Sequence, residues 1–293
     1  MSARLGDNQY GKAQIRLMKV DRDSERHVLH DLNVSVALSG DMTAVHLDGD
    51  NAGVLPTDTQ KNTVYAFARE HGIGEIEDFA LLLARHFVDA TPSVQRARVQ
   101  VEEYPWQRVT VSGGPAAHSF VQTGAGTRTT TVTYDGQGAW VRSGVDDLVL
   151  LNSTDSEFSG FRKDPYTTLA ETSDRILCTA VTAQWRHSID PPQGTDWAKS
   201  YDAARTALTE AFADTYSRSL QQTLFAMGER LVTSCEGVAE VRLSLPNRHH
   251  FLVDLEPFGL DNPGQVFHVA DRPYGLIEGT VLADDATPAP EAW

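Results

Sequence analysis

Twice along this chain of 293 residues, alternating apolar and polar positions give way to helical periodicity and then return. Alternation buries one face of a strand, whereas recurrence at three and four residues buries one face of a helix. In the first half, residues 11–20 and 28–38 alternate about the charged turn 21–25 and read as a strand pair. From Asn62 the period changes: Val64, Phe67 and Ala68, then Ile76, Phe79, Leu82, Leu83 and Phe87 fall at helical steps, interrupted by Gly72-Ile73-Gly74. Residues 98–111 and 119–134 alternate again, and Asp135-Gly136 marks a hairpin before 139–142. The second half repeats the order, with strands expected at 148–151 and 175–185, a Pro-Pro-Gln-Gly break at 191–194, and strands again at 238–245 and 250–255. Between them Trp197, Tyr201, Ala204, Leu208 and Phe212 mark one helix, and Leu220, Leu224, Met227 and Leu231 the next.

This order predicts an α+β architecture of two tandem antiparallel ββααββ units, residues 8–140 and 141–280, with the helices on one face of each sheet. A flexible polar tail is expected at 281–293. The face of each sheet that the helices leave bare must be solvated or covered in an assembly.

Charge narrows the partners. Lys and Arg number 25 against 40 Asp and Glu, a formal charge of −15 that repels a phosphate backbone and an anionic membrane surface. Neither nucleic acid nor a membrane is therefore expected as a partner. An anionic substrate would need a local cationic site, which a screening length of ~8–10 Å permits. The first seven residues lack the apolar stretch of a secretory signal, no run of about 18 apolar residues occurs, and the final Ala-Pro-Glu-Ala-Trp is not a Ser-Lys-Leu address. The expectation is a cytoplasmic protein. Cys178 and Cys235 are too few for a disulfide framework and have no C-x-x-C spacing.

Searches for general catalytic motifs find no phosphate loop, dinucleotide fingerprint, H-E-x-x-H or G-x-S-x-G. His27-x-x-His30 and His249-His250 are the histidine groupings, and neighbours on a strand point to opposite faces, so the second pair is poorly arranged to grip one metal. No metal and no cofactor are expected.

Residues 148–161, Leu-Val-Leu-Leu-Asn-Ser-Thr-Asp-Ser-Glu-Phe-Ser-Gly-Phe, continue to Tyr166-Thr167-Thr168-Leu169 and Asp174-Arg175-Ile176-Leu177. Tyr10-Gly11-Lys12, Thr57-Asp58-Thr59-Gln60-Lys61-Asn62, Ser219-Leu220-Gln221 and Pro246-Asn247-Arg248-His249 accompany them in order. Together these motifs resemble the urate oxidase (uricase) family over about residues 8 to 280. The resemblance implies the tunnelling fold, two ββααββ units per chain, a homotetramer, and oxidation of urate by O2 and water to 5-hydroxyisourate and hydrogen peroxide without a cofactor. At Asn152 the chain departs from the family, which usually has Lys there.

Urate is a flat anion rimmed by carbonyl oxygens and ring nitrogens, so its site needs a stacking face, a fork of donors and a base. The resemblance gives Arg175 the bidentate clamp, Gln221 the adjoining edge, Phe158 the ring face, and Leu220 a backbone donor. It makes Lys12, Thr57 and His249 a proton relay, puts Asp58 beside Thr57 in the substrate pocket, and sets dioxygen and then water near Thr57 and Asn247. An ammonium serves as base only where burial or cationic neighbours depress its pKa. Taken singly, each residue has a plainer reading: Lys12 as a solvated strand lysine, Thr57 and Asp58 as a helix cap beside Asn62, Arg175 as a strand-end ion pair, Phe158 as core, Gln221 as helix surface. The resemblance also implies that one subunit supplies the early group and its neighbour the clamp. Two other functions stay open at this level: a pterin- or purine-handling enzyme of the same fold, whose zinc-dependent members need convergent His and Cys, and a non-catalytic purine binder.

Overall fold

Strand β1 (Tyr10–Asp21) pairs antiparallel with β2 (Val28–Gly40) in a computed structural model that describes residues 3–124, 126–188, 190–192 and 194–293. Alternation along β2 puts Leu32, Val34, Val36 and Leu38 in the core, and β3 (Val94–Glu103), antiparallel to β2, adds Val94, Ala97, Val99 and Val101. Helices α1 (Thr43–Asp48), α2 (Thr57–Glu70) and α3 (Ile76–Asp89) intervene. The periodic residues of α3 pack as expected, with Ile76, Phe79, Ala80, Leu83, Ala84 and Phe87 buried over β3 and over β6 (Thr127–Tyr134). Helix α2 lies over β1 and buries Val64 and Ala68. The short α1 is absent from the periodicity reading because its six residues bury nothing.

The two alternating runs at 98–111 and 119–134 are each broken. Pro105, which has no N–H to donate to a ladder, separates β3 from β4 (Trp106–Val111), and Gly124 and Gly126 separate β5 (Gly114–Gln122) from β6. Strands β4 and β5 form a two-stranded sheet of their own.

The second half differs from expectation in its strands. The runs at 139–142 and 148–151 are one strand, β7 (Ala139–Asn152), and those at 238–245 and 250–255 are one strand, β9 (Val238–Leu252). Strand β8 (Leu177–His187) starts two residues after Arg175. Helices α4 (Trp197–Asp214) and α5 (Leu220–Ser234) follow, although Gln193 of the expected break lies outside the described residues. The final strand, β10 (Phe267–Leu282), pairs antiparallel with β9 and was not legible as alternation.

The chain forms two compact units. Unit 1 takes Met1–Gly144, Trp185–Lys199 and Thr287–Trp293, with the strand order β1-β2-β3-β6. Unit 2 takes Val145–Gln184 and Ser200–Ala286, with β8-β9-β10 in order and α5 against β9 and β10. Strands β7 and β8 give residues to both units.

Unit 1 holds a buried polar group inside its core. Ser143 Oγ donates to Glu77 Oε1 at 2.7 Å, and Arg128 reaches the carboxylates of Glu77 and Glu75, both at 2.7 Å. Ser143 Oγ also lies 3.0 Å from His187 Nε2, within hydrogen-bonding distance. Burial pushes the His187 pKa down to about 4. The last residues do not hang loose: Ala289 and Ala292 are buried, Arg96 and Arg186 donate to the carbonyls of Glu291 and Thr287, and the Arg142 guanidinium lies 4.6 Å from the Trp293 ring centre.

Candidate active site

In unit 1 the structure brings Lys12, Thr57 and Asp58 together through one close strand contact and one hydrogen bond. A Cβ on Gly11 would sit 1.8 Å from the carbonyl oxygen of Val36, so only glycine lets β1 lie this near to β2. Beyond Lys12 the register slips: Lys12 faces Val36 and Ile15 faces Val34, with Gln14 at φ 60° in the bulge. The Lys12 side chain is half-buried. Next to Gly11, the Tyr10 hydroxyl accepts a hydrogen bond from the Leu55 N–H at 3.0 Å, tying the start of β1 to the segment just before α2.

Pro56 occupies the N-cap position of α2 without a side-chain bond, so Thr57 is the first helical residue and its hydroxyl does not cap the helix. Asp58 pairs with Lys61 and accepts from Asn62 Nδ2 at 3.0 Å; the Lys61 hydrogen bond and charge, with a smaller pull from Lys12, hold its carboxyl below the ordinary carboxylate range. A negative charge in the first helical turn also matches the positive end of the α2 dipole.

The residues expected to form the clamp gather in unit 2, in the turn after β7. Phe158 is bridged to Thr172 by two backbone hydrogen bonds of 2.9 and 3.1 Å. That bridge folds residues 158–172 back so that Arg175 returns to the same turn. The Arg175 guanidinium carbon lies 5.3 Å from the Phe158 ring centre, and its Nε donates to Ser156 Oγ at 3.2 Å. Phe161 stacks against Phe158 with ring centres 5.0 Å apart and planes 14° from parallel. The Glu157 N–H donates to the Ser217 carbonyl at 2.8 Å and the Ser217 N–H to the Asp155 carbonyl at 2.9 Å, which joins this turn to the start of α5. There Ser219 caps the helix, accepting from the Gln222 N–H at 3.2 Å, and sets a buried Leu220 beside an exposed Gln221.

Asn247 and His249 lie two residues apart on β9 and share a face. They pair with Gly275 and Ala270 of β10, whose extra residues bulge between them. Burial, then the charges of Arg175 and His250, push the His249 imidazole below its ordinary pKa, so it is neutral at pH 7 and able to accept a proton. Among the described residues no three His, Cys, Asp or Glu converge as metal ligands. Asn152 donates to the Phe212 carbonyl at 3.0 Å, in the last turn of α4. Two contributors escaped the sequence reading: the Tyr10 hydroxyl, whose motif was in view, and Ser156, which no periodicity singles out.

An arginine beside an aromatic ring, with no carboxylate in an ion pair with it among the described residues, suits a planar anion. The antiparallel units that carry it define the class: an α+β protein of the tunnelling fold. A crystal structure of the uricase from Arthrobacter globiformis matches with a TM-score of 0.92 at 45% identity, covering 99% of this chain and 98% of that one. A uricase structure from Bacillus fastidious, at 22% identity and a TM-score of 0.78, shares the fold over 97% of this chain and 96% of its own. Among curated proteins, the A. globiformis uricase is 45% identical over 289 residues, 99% of this chain and 93% of the relative. The Oryctolagus cuniculus uricase is 36% identical over 278 residues, 93% of this chain and 92% of the relative. The Uricase family model matches residues 8–133 and 141–278, and the chain belongs to the uricase family.

Proposed function

We propose that the residues gathered in the two units bind urate and move its protons as follows. The chain is a urate oxidase, with urate and dioxygen as substrates. The observation that carries the site reading is the Phe158–Arg175 pair. Urate stacks on Phe158, Arg175 clamps one edge, and Gln221 and the Leu220 N–H serve the adjoining edge. Asp58 and Thr57 close the pocket, and Lys12, through the Thr57 hydroxyl, takes a proton from urate and passes it toward the neutral His249. A further deprotonated urate is the better reductant. Two electrons leave the ring and reduce O2 to peroxide, while water, held near Thr57 and Asn247, supplies the hydroxyl of the product: urate + O2 + H2O → 5-hydroxyisourate + H2O2.

The chain's own residues and the substrate suffice in this scheme, with no metal or flavin. The protein works as a homotetramer in the cytoplasm, each site taking Lys12, Thr57 and Asp58 from one subunit and the clamp from its neighbour. Aerobic incubation of chelator-treated protein with urate tests the chemistry, following urate absorbance and peroxide together. The expected result is equimolar loss and gain. Loss of activity on chelation, restored by a metal, would overturn the cofactor-free scheme.

A further inference from the structure

We propose that Ser156 is the positioning residue of the urate clamp: it holds the Arg175 guanidinium by its Nε, in a way that leaves the full positive charge for the substrate. The inference rests on the reading of Arg175 as the clamp and adds to it a residue which that reading does not use.

Arginine has five N–H donors in a rigid fork. Committing Nε to Ser156 at 3.2 Å removes the side-on mode and turns the two terminal nitrogens outward as the binding edge. The acceptor is itself fixed. Ser156 is fully buried, and the residues on either side of it are hydrogen-bonded to the Ser217 backbone at 2.8 and 2.9 Å. Asp155, just ahead, holds φ 60°, a left-handed conformation that aims the next side chain inward. From Ser217 a hydroxyl chain continues, with Thr223 Oγ1 donating to Ser217 Oγ at 2.8 Å and Ser217 Oγ to the Ser219 carbonyl at 3.2 Å. Ser219 caps the helix that presents Leu220 and Gln221. Both sides of the clamp are thus registered to one buried set of hydroxyls.

The chemical type of the anchor matters as much as its position. A buried carboxylate here would hold Arg175 more tightly but neutralise it, and an anionic substrate would then compete with an internal ion pair. A hydroxyl accepts one hydrogen bond and takes no charge.

The test is a cycle of variants read as KM against kcat. Ser156→Ala should raise the KM for urate about tenfold, because hydrogen bonds to charged groups are among the stronger ones, and leave kcat within about threefold, because the clamp acts in ground and transition states alike. Ser156→Thr should restore KM. In an Arg175→Lys background, where no Nε–H of this geometry exists, Ser156→Ala should change KM by less than about twofold. If Ser156→Ala does not fold, Ser156→Cys, similar in size but a weak acceptor, should give the same rise. A folded Ser156→Ala or Ser156→Cys with unchanged KM overturns the proposal, as does the same KM penalty in both backgrounds. An Arg175→Ala variant with unchanged KM overturns the clamp reading itself and the proposal with it, and is told apart from the other failures by that variant alone.

Discussion

Lys12 and Thr57 are unremarkable in composition and sit on different elements, yet the Tyr10–Leu55 hydrogen bond links their backbones. If they form one relay, Lys12→Met and Thr57→Ala should each lower kcat by roughly 10²–10⁴, the usual worth of positioned acid–base catalysis. The double variant should be little worse than the poorer single one, since members of one device are not additive; steady-state kinetics of the three would show full additivity if they act separately. His187 supplies a second prediction, on stability. Its pKa of about 4 in the fold lies below the ordinary imidazole value, so between about 6.5 and 4 the unfolded chain binds a proton that the fold refuses. This contribution is intact above about pH 6.5 and falls with decreasing pH, reaching a loss of about 3 kcal/mol near pH 4. Urea midpoints of His187→Gln should fall less steeply over that range than those of the parent chain, and parallel slopes would refute the assignment. At this scale the sequence named most of the gathered residues because they lie in spaced motifs. It could not name Ser156 as a partner of Arg175, since a contact across 19 residues of irregular chain leaves no periodic trace.

Elements were legible where burial is one-sided and continuous. α3 and β2 match their patterns because each buries one face, at 3.6- and 2-residue periods. β10 was hidden for a physical reason: the residues opposite Arg248 bulge out of the ladder, and Arg272, Pro273 and Gly275 interrupt any alternation there. β9 was split for a similar one, because Pro246 reads as a strand breaker although its place in the ladder opposite Leu276 tolerates it. The Gly11 contact gives a prediction at this scale. Gly11→Ala places a methyl at 1.8 Å from the Val36 oxygen, a backbone atom that cannot rotate away, so β1 must lift from β2. Stability should fall by about 3 kcal/mol or more, and kcat with it, because Lys12 rides on the displaced strand. Chemical denaturation checks the first effect, and a midpoint unchanged from the parent would mean that the bulge absorbs the methyl.

For the whole molecule, the tandem pattern was readable but its midpoint, at residues 140–141, falls inside β7, a strand that serves both units. Periodicity reports which face of an element is buried and says nothing of which segments share a core. The early residues and the clamp belong to different units, and the shared-site proposal makes a direct prediction from that. Thr57→Ala and Arg175→Ala proteins, each nearly inactive, should regain part of the parent activity when dissociated together and reassembled, because some interfaces then carry neither lesion. Proven mixed oligomers without recovery would place the site in a single chain. Unit 1 also draws its residues from three separated stretches, and Trp197, more than a hundred residues beyond α3, belongs to its core and donates to Asp78 at 2.9 Å. A ribosome makes this chain in one direction, so the residues up to Gly144 emerge while Trp185–Lys199 and Thr287–Trp293 do not yet exist, and Asp78 on α3 must wait for Trp197. The unit whose synthesis starts first is therefore the one completed last, when Thr287–Trp293 finally arrive.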